Sequence, residues 1–186
     1  MKTITSCMRF RKTKIKGVYI IEPKPKIDKR GYFLRAFCRK EMMRLDIDFN
    51  IVQSNRNFTK KKGTIRGLHY QISPCQEDKI IQCLKGEVYD VLLDLRANSP
   101  TFGKWISERL SEKNKRMILV PKGCANGIQT LTDNCLIEYF VSEYYSPKNE
   151  AGIRWNDPFF KIKWPIKKVF SSEKDKRWKY YSNNLN

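Results

Sequence analysis

Apolar residues recur along this chain in short runs of strand length rather than in the long one-sided stripes of helices. Gly17-Val-Tyr-Ile-Ile21, Lys79-Ile-Ile-Gln-Cys-Leu84, Gly86 to Leu95, Gly103 to Leu110, Arg116-Met-Ile-Leu-Val120, Gly127 to Leu131 and Cys135-Leu-Ile-Glu-Tyr-Phe-Val141 are rich in β-branched and aromatic residues, as strands are. Phe49 to Asn55 and Gly63 to Gln71 read the same way, separated by a polar turn at Thr59 to Lys62. Asp28-Lys-Arg-Gly31 is a turn feeding a strand at Tyr32 to Phe37, which sets Phe33, Arg35 and Phe37 on one face. Only Cys38 to Leu45 has the spacing of a helix, a short one. Turns such as Asn98-Ser-Pro100 and Val120-Pro-Lys-Gly123 punctuate the series. Evenly spaced short strands predict an all-β sandwich or barrel. The tail, with Asp157-Pro158, Trp164-Pro165 and the charged segment Ser171 to Asp175, is not assigned an element.

Length and composition narrow this picture. A chain of 186 residues is expected to form one domain spanning residues 1–186, long enough to bury about 70% of its unfolded surface. No apolar run approaches a membrane span, and the first twelve residues lack the apolar segment of a leader peptide. A cytoplasmic protein without a membrane partner is expected. The six cysteines form no C-x-x-C pair and are expected to be reduced core residues. A net charge of +19 favours an anionic partner. Its lysines are nevertheless spread along the chain, with no recognition helix or aromatic-basic repeat. A basic solvated surface, rather than a nucleic-acid interface, is therefore expected.

The chemistry is concentrated in Gly63-Thr-Ile-Arg-Gly-Leu-His-Tyr-Gln71, which holds the single histidine of the chain. An imidazole is the side chain best matched to proton transfer near neutral pH. On a regular strand Arg66 and His69 would face opposite ways. A tight bend at Gly67 can still bring them into one cleft. Candidate partners near the apolar interior are Tyr139, Lys79, Asn126, Asp90, Asp94 and Asp175. A lone histidine rules out the two- or three-histidine metal site of a barrel mouth, so neither metal nor cofactor is expected.

The succession Gly63 to Gln71, Lys85-Gly-Glu-Val-Tyr-Asp-Val-Leu-Leu-Asp-Leu-Arg96, Ser99-Pro-Thr-Phe-Gly103, Val120-Pro-Lys-Gly-Cys-Ala-Asn-Gly127, Tyr144-Tyr-Ser-Pro147, Gly152-Ile-Arg-Trp-Asn-Asp-Pro158 and Ser172-Glu-Lys-Asp175 resembles the dTDP-4-dehydrorhamnose 3,5-epimerase family. The resemblance runs in order from about Gly17 to Asp175. It implies a cupin-type jelly roll, a homodimer exchanging strands, and metal-free epimerisation of a nucleotide-linked 4-keto-6-deoxy sugar for deoxysugar and surface polysaccharide synthesis. By the same resemblance His69 is the base, Asp175 its carboxylate, Tyr139 the acid on the opposite face, and Lys79 the cation beside the enolate. Arg30 and Arg66 would grip the diphosphate. Gln53, Ser54, Asn55, Glu150 and Lys174 would line the nucleotide and sugar cleft.

Two positions depart from the family pattern. Asn126 stands where a histidine is usual, and an amide hydrogen-bonds but does not shuttle protons; an altered substrate, or an altered set of inverted carbons, is expected. Arg35 stands where a glutamate meets thymine, which suggests a carrier other than dTDP, because arginine donates to acceptor edges such as those of guanine. A ketoisomerase moving the carbonyl between C3 and C4 would also enolise its substrate, and a non-catalytic sugar-nucleotide-binding scaffold would bind without proton exchange.

Overall fold

Runs that are apolar on both faces make strands that must be covered on both sides, and the computed structural model, which describes residues 7–181, shows how this is done. The strands in chain order are β1 (Met8–Lys12), β2 (Tyr19–Pro23), β3 (Lys26–Asp28), β4 (Gly31–Phe33), β5 (Gln53–Thr59), β6 (Ile65–Gln71), β7 (Lys79–Lys85), β8 (Glu87–Asp94), β9 (Trp105–Ser111), β10 (Met117–Val120), β11 (Cys124–Thr130), β12 (Cys135–Val141) and β13 (Glu150–Gly152), with short helices α1 (Arg39–Met43) and α2 (Glu173–Arg177). A six-stranded sheet in the order β1-β2-β10-β7-β12-β5 faces a five-stranded sheet in the order β13-β6-β11-β8-β9. This is a cupin-like jelly roll, the all-β class expected from the chain's pattern.

Three apolar clusters hold the layers. Between the sheets lie Ile20, Ile81, Val88, Leu92, Leu110, Ile118, Ile128 and Ile137. Met42 of α1 and Phe49 cover the outer face of the six-stranded sheet against Ile21, Ile80, Met117 and Leu119. Ile153 and Phe160 cover the other outer face against Leu68, Val91, Leu93 and Ala125. Every residue of β10 is accordingly buried. Cys83, Cys124 and Cys135 are buried thiols, and burial pushes the first two up to about 12, as suits packing groups rather than nucleophiles.

Several boundaries differ from the sequence expectation. β1 was not foreseen because Met-Arg-Phe-Arg-Lys reads as basic; it is an edge strand whose pattern is mostly exposed. The strand expected over Tyr32 to Phe37 stops at Phe33: β3 and β4 form an exposed hairpin, with Phe33 in solvent while Phe37 packs on Phe49. The strand expected from Phe49 begins at Gln53, because Phe49 is consumed as a plug under α1. α2 was missed in the charged tail; Ser172 caps it by accepting from the Asp175 N–H, a serine and an acid at the spacing of an N-cap pair. Of the leader reading, residues 1–6 lie outside the described part.

Candidate active site

Strands β5, β7 and β12 of one sheet and β6, β11 and β13 of the other line a cleft between the layers. Its outer lobe, about 320 Å³, is lined by Gln53, Asn55, His69, Glu77, Lys79, Tyr139, Tyr145 and Glu150 among others. An inner lobe of about 100 Å³ adds Arg66, Asn57 and Asn126 and shares His69, Lys79 and Tyr139. Those three shared side chains mark the centre.

How Arg66 and His69 reach one cleft is read in the register. Arg66 pairs with Ile128 and His69 with Asn126, so β6 spends two residues where β11 spends one. This bulge shifts the side-chain alternation by one. Leu68 therefore points outward into the covering cluster, and both polar residues point inward. Gly67 makes it possible: its φ is +116°, and a Cβ there would meet Asn126 O and Gly127 Cα at 2.6 Å.

His69 Nε2 lies 2.5 Å from Asp175 Oδ1, joining β6 to α2. Burial opposes ionisation of Asp175, but His69, the Ser172 hydroxyl and the Gly67 N–H outweigh it and lower its pKa. The carboxylate is thus a stable anion behind the imidazole. Trp178 meets the His69 ring edge-on at 6.3 Å, packed so closely on Gly152 that no β-carbon fits there. Across the cleft, burial first and then the charge of Glu77 raise the Tyr139 phenol, which stays protonated. Lys79 Nζ is 2.9 Å from Glu77 Oε1.

Asn126 is held by the sheet beneath it. Its Nδ2 donates to Asp90 Oδ1 at 2.6 Å and to Val91 O at 3.2 Å. Both N–H groups are spent, so the amide oxygen is what it offers to the inner lobe. Asp90 is fully buried, its Oδ2 has no hydrogen-bond partner among the described residues, and burial pushes its carboxyl well above the usual range. Arg66 donates from Nε to Thr59 Oγ1 at 3.0 Å, leaving further N–H groups for an anion. At the rim, Glu150 accepts from Lys174 at 2.5 Å and from the Tyr145 hydroxyl at 2.7 Å.

The single chain brings together His69, Asp175, Tyr139, Lys79, Arg66, Asn126, Gln53, Asn55 and Glu150, with Lys174 at the edge. It does not bring in Ser54, which is exposed because it alternates with the inward-facing Gln53 and Asn55 along β5. Arg30 sits at the tip of the β3–β4 hairpin paired with Asp28 at 2.6 Å, and Arg35 is paired with Glu41 at 3.2 Å. Neither lines the cleft of its own chain. Sequence reading missed Glu77, a carboxylate that looks solvated beside Gln76 and Asp78. It also missed Tyr145, whose adjacency to β12 was the available signal.

The family model for dTDP-4-dehydrorhamnose 3,5-epimerase matches residues 12–183. The chain is 39% identical over 179 residues to the dTDP-4-dehydrorhamnose 3,5-epimerase of Methanothermobacter thermautotrophicus, covering 95% of this chain and 96% of that one. It is similar in structure to the enzyme of that name from Bacillus anthracis with TDP and PPi bound (TM-score 0.91, 38% identity, 94% and 99% covered). It is also similar to a dTDP-6-deoxy-D-glucose-3,5-epimerase of Legionella pneumophila in complex with dTDP-4-keto-L-rhamnose (TM-score 0.88, 40% identity, 93% and 92% covered).

Proposed function

We propose, on the premise that this chain belongs to the dTDP-4-dehydrorhamnose 3,5-epimerase family, that its cleft inverts carbon beside a ketone with His69 as base and Tyr139 as acid. The protein is an isomerase, an epimerase of 4-keto-6-deoxy sugars in deoxysugar biosynthesis. The observation that carries the assignment of roles is the His69–Asp175 contact of 2.5 Å, set in a cleft whose opposite wall presents Tyr139.

A ketone at C4 acidifies the protons on C3 and C5, so a base on one face can form an enolate. His69 takes that proton, and Asp175 stabilises the imidazolium it becomes. Charge developing on the enolate oxygen meets the Lys79 ammonium. Tyr139 returns a proton from the other face, and exchange with solvent restores both groups. Arg66 offers donors to a diphosphate, and a nucleoside diphosphate is the carrier class that supplies one. Asn126, with its nitrogen committed to Asp90 and Val91, accepts from a sugar hydroxyl and does not donate to the ketone, so it selects among sugars rather than moving protons.

The exposed hairpin carrying Arg30, with Ile27, Tyr32 and Phe33 at 79%, 59% and 67% exposure, supports a homodimer. In it this hairpin, and Arg35 after it, would reach a second copy's cleft. Buried thiols support a cytoplasmic setting; no helix among the described residues is long and apolar enough to cross a membrane.

The test is incubation in D2O with a 4-keto-6-deoxy sugar carried on dTDP and, separately, on GDP, locating deuterium by NMR. Deuterium at C3, C5 or both, with inversion, is the expected result; no exchange on either carrier would overturn the reading. Equal turnover on both carriers would remove Arg35 as a determinant of the base. In the same assay Asn126→His is expected to change the product ratio, and an unchanged ratio would count against a selecting role for the amide.

A further inference from the structure

A carboxylate in a polar turn ordinarily faces water, and Glu77 does not. In the turn that leads from β6 into β7 its side chain is 9% exposed, and it is ion-paired with Lys79, itself 14% exposed. Both line the outer lobe beside His69 and Tyr139. Withdrawing two charges from water is costly even when they meet, so the pair needs a reason. Structural stapling is a poor one. The partners are two residues apart in sequence, so their contact closes no loop and ties no distant elements together.

We propose that Glu77 is a positioning residue of the epimerisation, clamping the Lys79 ammonium toward the reacting carbonyl and opposing, across the cleft, the Asp175 that backs His69. This rests on the epimerase reading of the cleft and assigns it a second carboxylate. Glu77 occupies only part of the ammonium's donor capacity, which leaves N–H groups for the enolate oxygen. The other carboxyl that Lys79 feels is Asp90, but burial favours its neutral form, so Glu77 supplies the ionised counter-charge. An ammonium held in place before the substrate arrives has no reorganisation to undergo when charge develops.

The same carboxylate acts on the acid. The groups bearing on the Tyr139 phenol are Glu77 from the turn, Arg66 from β6, Glu150 from β13 and Tyr145 after β12, with Lys79 and His69 lining the same cleft. Glu77 is the largest contributor after burial, and its charge raises the phenol. Removing that charge lowers it, so the alkaline limb of the pH–rate profile, where the phenol loses the proton it must give, moves to lower pH.

The experiment compares wild type, Glu77→Gln and Glu77→Asp by NMR-monitored epimerisation from pH 6 to 11, in the full-length protein. Glu77→Gln keeps the shape and is expected to lower kcat at neutral pH about tenfold with little change in KM, and to shift the alkaline limb down by roughly 0.5–1 unit. Glu77→Asp keeps the charge but withdraws it by one methylene; its limb stays with wild type while kcat falls. An unmoved limb in Glu77→Gln, or an unaltered kcat in Glu77→Asp, would overturn the role of Glu77 beside an active wild type. Wild-type protein without turnover would overturn the epimerase reading itself.

Discussion

Alanine in place of His69 is expected to lower deuterium exchange and epimerisation by roughly 10²–10⁴-fold, with the protein still folded. The side chain is partly exposed in the cleft, 31% by area, so its removal takes away little packing. What it takes away is the proposed base. Asp175 cannot substitute, because it is buried behind the imidazole at 4% side-chain exposure, and its partners hold it as a low-pKa anion, which is a weak base. Lys79 is paired with Glu77 on the opposite wall. Deuterium NMR on the variant, with a thermal melt as the folding control, decides the matter. Exchange above about a tenth of the wild-type rate would assign the base to another group.

Tyr139→Phe is expected to separate exchange from inversion. The ring packs against the apolar cluster between the sheets, and phenylalanine preserves that contact, so only the hydroxyl proton is lost. His69 can still form the enolate, exchange its proton with solvent and return deuterium to the same face. Deuterium should therefore enter with retained configuration, while inverted product falls by roughly 10²–10³-fold. Measuring both by NMR in one sample makes the prediction sharp: inversion persisting near the wild-type rate would mean that the second proton comes from elsewhere.

Where the chain's pattern was legible, the reason is physical. β7, β8, β10 and β12 are apolar runs closed by turn residues, and sheets covered on both faces demand such runs. β1 and β13 were not legible, the one basic and at an edge, the other three residues long and held by pairing with β6. The β6 cleft face was half legible. Gly67 marked a bend, but only the two-for-one register with β11 shows that the bend realigns Arg66 with His69. Asp175 stood among six candidate partners, and only the resemblance singled it out for His69, since nothing local connects the two. Glu77 was invisible for the opposite reason: its neighbours suggest solvent, and only the inward turn before β7 reveals it. Ser54 was drawn in with Gln53 and Asn55, and strand alternation excludes it.

The contact between His69 and Asp175 spans 106 residues of chain, and its second member arrives on a five-residue helix near the carboxyl end. Closing so long a segment carries an entropy cost that a short helix cannot meet alone. It is met by the covering segment that precedes α2, in which Ile153 and Phe160 bury themselves on the five-stranded sheet. During synthesis, with amino-terminal parts emerging first, the barrel and its imidazole are therefore made before the carboxylate that completes the base. The proposed catalytic pair is the last part of the cleft to be synthesised, so a chain that stops short of α2 would carry the pocket without the carboxylate behind its imidazole.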